Sequence, residues 1–327
     1  MRRWRAGRAA GLLVAAGLRT LALSAQETPR PNRVAWFELI PEPLPDGQDR
    51  LTFELTSQYL RPDRAVSADG RTRAALDAED WLLTLDQTWD LAGGRFAVRL
   101  RAQERWGGLF DQLLVNYHSL LGADSGGREL SPKGLAVMRL VRDGRVVVDA
   151  EGARAQLLDL DLAWVRPFGT AEAGGRYGLS AQAPTGRRAG GAGSGSWDEA
   201  LGAAAWRRIG AFTLRAQGEF VHLGITAANP WSAVVARNHL GRAWAGAAWQ
   251  GTGPGFWGGL GLSLDLGYTE NPFRTGLARM DDPAWQVHAG FTHRALPRWR
   301  FGFSEEAGTY VAPDITAFVT YRLGPGR

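Results

Sequence analysis

Residues 95–106 alternate between two chemistries. Phe96, Val98, Leu100, Ala102 and Trp106 fall on one side of an extended chain, with Glu104 as the polar intruder. Ala97, Arg99, Arg101, Gln103 and Arg105 fall on the other. A period of two is that of a β-strand with one apolar and one wet face. Three arginines on one face do not suit a dry β-core. They suit a water-filled lumen, with the apolar face toward lipid. The pattern recurs near 51–60, 80–90, 155–166, 173–184, 197–207, 211–223, 237–249, 256–268, 284–294, 298–307 and 314–323. Phe256, Leu260, Leu262, Leu264, Leu266 and Tyr268 share a face opposite Ser263 and Asp265; Leu158, Leu160, Leu162 and Trp164 oppose Asp159 and Asp161. These segments predict an all-β fold, an antiparallel transmembrane β-barrel of about twelve strands.

Connection lengths agree. Short links at 90–94, 167–175, 208–211, 251–255 and 295–297 alternate with long ones at 61–79, 107–154, 185–196, 224–236 and 269–283. Such barrels place short turns on the periplasmic side and long loops outside. Residues 135–149 complicate the strand count. They read as a hairpin about Arg142-Asp143-Gly144-Arg145, and fourteen strands is the alternative if it joins the wall. Aromatic spacing gives a length. Trp81 and Trp89 lie eight residues apart on one face. That is roughly 26 Å of strand, or about 20 Å of membrane depth at a tilt of ~40°.

The first 25 residues lie outside the barrel. Arg2, Arg3, Arg5 and Arg8 precede a short apolar run, and Leu23-Ser24-Ala25 offers a cleavage point. This is the pattern of a secretory signal peptide. Residues 26–49, rich in proline, read as a periplasmic lead-in, and 50–327 as the barrel. The signal segment also explains the charge. It holds five of the 38 basic residues, leaving 38 − 5 = 33 against 33 acids, so the pI of about 10.0 is no motive for nucleic acid. The chain has no cysteine, which removes disulfides and thiolate zinc sites.

The insertion 107–154 holds the candidate chemistry. Phe110, Leu113, Leu114, Tyr117, Leu120 and Leu121 recur at helical spacing, ending at Gly122. The reading is a helix-bearing loop at or in the lumen, anchored by Asp111, His118, Asp124 and Arg128. The competing reading uses His118 as a base with Asp111 as its carboxylate. Lumen charges are expected at Arg99, Arg101, Arg105, Asp159, Asp161, Arg215, Glu219 and Asp265. Histidines stand apart along the sequence, and His288 and His293 fall on opposite faces of one strand, so neither a metal site nor a cofactor is expected. Hydrolase, metalloprotease and phosphate-loop motifs are missing from the sequence.

Asp77-x-Glu79, Gly108-x-x-Asp111, His118-x-x-x-Gly122 and Arg128 together resemble an uncharacterised bacterial outer-membrane β-barrel family, a domain of unknown function. Pro184-Thr185-Gly186 followed by Gly193-Ser194-Gly195-Ser196-x-Asp198 is similar, more weakly, to transporter-type barrels of aromatic-degradation pathways. The resemblance covers roughly 76–223. It implies an outer-membrane barrel and brings no established activity. The chain departs from the usual aromatic ending of such barrels, because Gly324-Pro325-Gly326-Arg327 follows the last in-phase strand residues. The functional expectation is a channel or transporter-like barrel for a small or amphipathic solute. A lipid-modifying enzyme and a structural or assembly barrel are the alternatives. Expected partners are outer-membrane lipid, the barrel-insertion machinery and an unidentified small solute.

Overall fold

Alternation in the sequence becomes fifteen strands of a single antiparallel sheet. The computed structural model describes residues 43–46, 48–60, 65–108, 111–121, 133–152, 154–306 and 315–323. The strands are β1 (Arg50–Tyr59), β2 (Thr72–Leu91), β3 (Gly94–Trp106), β4 (Val137–Arg142), β5 (Arg145–Glu151), β6 (Arg154–Leu157), β7 (Leu160–Gly169), β8 (Ala173–Ala183), β9 (Asp198–Ile209), β10 (Phe212–Leu223), β11 (His239–Gln250), β12 (Leu260–Thr269), β13 (Ala284–His293), β14 (Trp299–Glu306) and β15 (Ile315–Arg322). One helix, α1 (Asp111–Leu121), follows β3.

Twelve of these strands close a wall. Pairing runs β1-β2-β3-β7 and then stepwise to β15, which returns to β1 through seven residue pairs from Arg50↔Arg322 to Thr56↔Thr316. Closure leaves no free edge between the twelve wall strands, which the hydrocarbon region demands. Across the seam Thr52 and Thr320 share a hydroxyl hydrogen bond at 3.2 Å, and Thr56 and Thr316 one at 2.9 Å. The count is therefore twelve. Hairpin β4–β5 pairs with the upper end of the 20-residue β2, at Thr72↔Arg142 to Asp77↔Val137, and stands above the wall. Its turn places Asp143 and Gly144 at φ 50° and 74°. Two successive positive φ values make the tight reverse turn that follows strand twist.

Burial is inverted relative to a water-soluble sheet. Leu100 is 53% exposed, while its neighbour Arg101 is 2% exposed. Leu264 and Asp265 repeat the contrast at 59% and 2%. The apolar outer face is bounded by two aromatic belts. Phe53, Trp81 and Trp106 cluster at the upper one, as do Tyr268 and Trp285; Trp89 with Phe96, Trp164 with Tyr177, and Trp299 with Tyr321 mark the lower. A closed wall with an apolar band between two aromatic belts is an outer-membrane barrel.

Two expected strands shift. The segment at 155–166 breaks at Leu158 and Asp159, leaving short β6 and then β7. Leu158 is buried beside Leu82 and Ala192 instead of joining the outer face of Leu160 and Leu162. Phe256 falls short of β12 and lies in the lower turn, stacked on His293 at 4.9 Å.

The described part of the long insertion corrects its expected role. Helix α1 forms where the spacing placed it. Its placement at or in the lumen is not supported: Asp111 is buried, but Gln112, Asn116 and Ser119 are exposed and Leu120 is 85% exposed. The side chains of Leu114, Tyr117 and His118, and all of Asp124 and Arg128, lie outside the described residues. The mouth is covered by β4–β5 instead. Met138, Leu140, Val148 and Ala150 of the hairpin enter one apolar cluster with Ala200, Val221, Leu223 and Leu240 from the tops of β9, β10 and β11. Trp231, Val234, Phe273, Leu277 and Met280, from the 224–238 and 270–283 connections, complete it. Burying a side chain of this size is worth about 1.5–3 kcal/mol. That gain offsets the entropy of ordering loops over a mouth.

Candidate functional site

The lumen is lined by paired charges. On β2, Asp86 sits between two arginines. Arg50 Nε donates to one carboxylate oxygen and Arg99 Nε to the other, each at 2.5 Å. Higher on β3, Arg105 Nε donates to Asp80 at 2.9 Å, and Arg101 lies 3.2 Å from Asp161 of β7. On the far wall, Arg215 of β10 holds Asp265 of β12 through Nε at 2.6 Å, with a second contact from Nη2. Arg242 of β11 donates to Glu219 at 2.7 Å. Asp86, Asp80, Asp265 and Glu219 each accept from a guanidinium, and Asp161 stands in ion-pair contact with Arg101, arrangements that hold a charge away from bulk water.

Small residues make room for these pairs. A Cβ at Gly246 would stand 2.1 Å from an Asp265 oxygen, and one at Gly193 2.3 Å from an Asp159 oxygen. Asp159 itself accepts backbone N–H bonds from Gly186 at 2.7 Å and Ser194 at 2.9 Å, and a bond from Gln182 Nε2 at 3.2 Å. It thereby pins the 184–197 connection inward. Asp198 takes the Ser194 hydroxyl at 2.5 Å and the Gly224 N–H at 2.8 Å. Asn229 completes the knot by donating to the Ser194 carbonyl and the Ser196 hydroxyl. The Pro184-Thr185-Gly186 and Gly193-to-Asp198 motifs are thus the two arms of a folded-in loop.

The segment before β1 also enters the barrel. Asp49 accepts from the Thr88 N–H and hydroxyl at 2.8 and 2.7 Å, fixing the entry at β2. Asp46 contacts Arg50 at 3.2 Å, Arg99 donates to the Pro43 carbonyl at 3.4 Å, and the Leu44 N–H donates to Glu219 at 2.9 Å. Leu44 is fully buried, and a Cβ at Gly202 would meet its Cδ1 at 3.0 Å. These last residues of the expected periplasmic lead-in therefore lie within the lumen.

The eight charges named from sequence, Arg99, Arg101, Arg105, Asp159, Asp161, Arg215, Glu219 and Asp265, are placed on the inward side. Seven take part in guanidinium–carboxylate pairs, and Asp159 is an anchor for backbone amides. Of the expected loop anchors, the structure describes Asp111, whose carboxylate accepts the Gly134 N–H at 3.3 Å. That bond closes the base of the insertion. Sequence reasoning missed Arg50, Asp80, Asp86 and Arg242. Each lies at an inward parity of its own strand, so face assignment alone would have found them. The pairing partners across strands needed the register.

Residues 41–324 match the family model described as a protein of unknown function, DUF3187. No curated protein sequence matches the chain. Among solved structures the chain is similar to the COG4313 outer membrane channel from Pseudomonas putida F1, at 12% identity over 87% of this chain and 97% of that one, with a TM-score of 0.47. It is also similar to a Pseudomonas aeruginosa FadL homologue, at 9% identity over 91% and 99% with a TM-score of 0.41. A third is the NanC porin, at 8% identity over 84% and 100% with a TM-score of 0.42.

Proposed function

The chain belongs to the DUF3187 family of proteins of unknown function, and we propose that it is a gated outer-membrane channel for a small amphipathic solute. One observation carries the reading. The inward face of a closed membrane barrel bears opposed arginines and carboxylates, from Arg50, Asp86 and Arg99 on one wall to Arg215, Asp265, Arg242 and Glu219 on the other. Arginine–carboxylate pairs along both walls line the lumen with fixed polar groups that can hydrogen-bond and orient a dipolar solute. A barrel serving only as a structural element gains nothing from the desolvation such pairs cost.

The solute class follows from what lies at either end of that polar section. Above it, the underside of the β4–β5 cover is apolar and packs on Trp231 and Phe273. Below it, a small cavity of about 30 Å³ is bordered by Gln250, Ser263, Thr292 and Arg300 together with Trp249 and Phe291. A solute passing inward meets apolar surface first and charge second. At rest the cover and the Pro43–Asp46 stretch narrow the route. Single-channel recording of the purified full chain in planar bilayers is the test. Low-conductance, infrequent openings with measurable ion selectivity are expected. A barrel that never conducts, with or without removal of 137–151, overturns the channel reading.

A further inference from the structure

His222 and His239 meet on the outside of the barrel. They are register partners on β10 and β11. The Leu223 N–H bonds to the Asn238 carbonyl, which makes 223 and 238 the hydrogen-bonded pair and 222 and 239 the closer, non-hydrogen-bonded one. Both histidines have the parity of the outward Phe220 and sit at the upper ends of their strands. The rings stack at 4.7 Å between centroids, and Nδ1 of one lies 3.2 Å from Nδ1 of the other. Phe220 stacks on His239 from below at 5.4 Å. Neither the channel nor the wall needs this arrangement.

We propose that His222 and His239 form a two-imidazole chelate for a divalent cation of the later first transition row, such as Zn²⁺, Ni²⁺ or Cu²⁺. Two nitrogens bound to one ion at about 2.05 Å with a tetrahedral angle stand about 3.3 Å apart. The observed separation matches that spacing without moving a strand. Neutral imidazole is a ligand of choice for these ions, and calcium and magnesium prefer oxygen. Glu199 is the register partner of His222 on the neighbouring strand β9 and is exposed, so it adds negative charge beside the pair. No cluster of three or more histidine, cysteine or acidic side chains with metal-binding geometry occurs among the described residues. The remaining coordination positions therefore belong to solvent or to an oxygen ligand of the outer leaflet. The strand register holds the two backbones in place and Phe220 packs on His239, so binding replaces the Nδ1–Nδ1 hydrogen bond and asks only a turn of the rings.

The probe is the metal ion alone, added to purified full-length protein carrying no affinity histidines. Equilibrium dialysis with Zn²⁺ should show one ion bound per chain. Cu²⁺ at the same site should give an electron paramagnetic spectrum with two nitrogen ligands. Removing an outer-shell partner of a metal ligand already costs about 10–100-fold in affinity. His222→Ala and His239→Ala should each weaken binding by about tenfold or more and remove the two-nitrogen signature. His293→Ala, which alters a half-buried histidine in the lower turn, should leave both unchanged. Heat-modifiable gel mobility reports whether each variant is folded. Zn²⁺ affinity unchanged in folded His222→Ala, or no binding of Zn²⁺ by the unaltered chain in dialysis, overturns the proposal.

Discussion

The amide of Leu44 donates to the carboxylate of Glu219 at 2.9 Å, joining the stretch before β1 to β10. In the wall order these strands are six steps apart of twelve, so the bond is made to the opposite side of the lumen. Twelve strands spaced about 4.8 Å and tilted about 40° give a backbone diameter of roughly 24 Å. Six residues from Arg50 back to Leu44 span at most about 20 Å. The described residues Pro43–Asp46 therefore lie well inside the lumen, and groups from both walls, Arg99 and Glu219, close on them.

Removing that stretch should enlarge the channel. Deletion of 26–46 keeps Asp49 at the seam and should raise single-channel conductance several-fold. Gly202→Leu tests the same contact from the wall. Its side chain would collide with Leu44 and with Glu219, whose Cγ is 2.5 Å from a Cβ there. More frequent large openings are expected. Unchanged conductance in both variants would show that the Pro43–Asp46 stretch does not limit the route.

Neighbouring residues on β12 give a test of the wall. Leu264 faces lipid and Asp265 faces the lumen. Leu264→Arg should cost about 2–4 kcal/mol near the midplane. Asp265→Asn keeps an acceptor for Arg215 but leaves its buried charge uncompensated, so it too should lose stability, and it should shift ion selectivity toward anions. Folding titrations in detergent or lipid give the first effect and bilayer recordings the second. A Leu264→Arg variant as stable as the unaltered chain would mean the faces are misassigned.

The barrel was legible because its code is local. Parity alone sorts Leu100 from Arg101, and the outward apolar band follows from that sorting. What covers the lumen was not legible by the same rule. Helical spacing from Phe110 to Leu121 drew attention to α1, yet the cover comes from Met138, Leu140 and Val148 in the hairpin thirty residues on. Both segments have an apolar stripe, and only tertiary pairing with the upper β2 decides which one leans over the mouth. Leu44 carried no periodic signal, because a single short pass into the lumen has no repeat. His222 and His239 are seventeen residues apart, and only the strand register brings them together.

Asp159 should act as the clasp of the 184–197 connection. Its carboxylate takes the Gly186 and Ser194 amides. Asp159→Ala leaves two inward N–H groups without that acceptor, at a cost of about 1–3 kcal/mol each. Trypsin should then cut after Arg187 markedly faster than in the unaltered chain, while the barrel itself resists. An unchanged cleavage rate would show that Asn229 and Asp198 hold the loop without it.

The hairpin cover has its own latch, and acid should loosen it. Arg71, before β2, donates to Asp143 in the β4–β5 turn through Nε at 2.6 Å and Nη2 at 2.9 Å. Hydrogen bonds from Arg71 hold the Asp143 carboxyl below its ordinary 3.8. A carboxyl depressed in the folded state contributes stability above its unfolded pKa and loses it as pH falls through the lower folded value. The latch is therefore intact from neutral pH down to its ordinary titration range and fails below it. Both partners are exposed, so the effect is a change in gating frequency and not in folding. Arg71→Ala should open more often than the unaltered channel at pH 7. Lowering the pH through the depressed titration of Asp143, below its ordinary 3.8, should bring the two together, because the unaltered chain then loses the same bond. Deleting 137–151 should give the fully uncovered conductance at either pH, whereas deleting 111–121 should not. If the helix deletion uncovers the channel and the hairpin deletion leaves it closed, the cover has been assigned to the wrong half of the insertion.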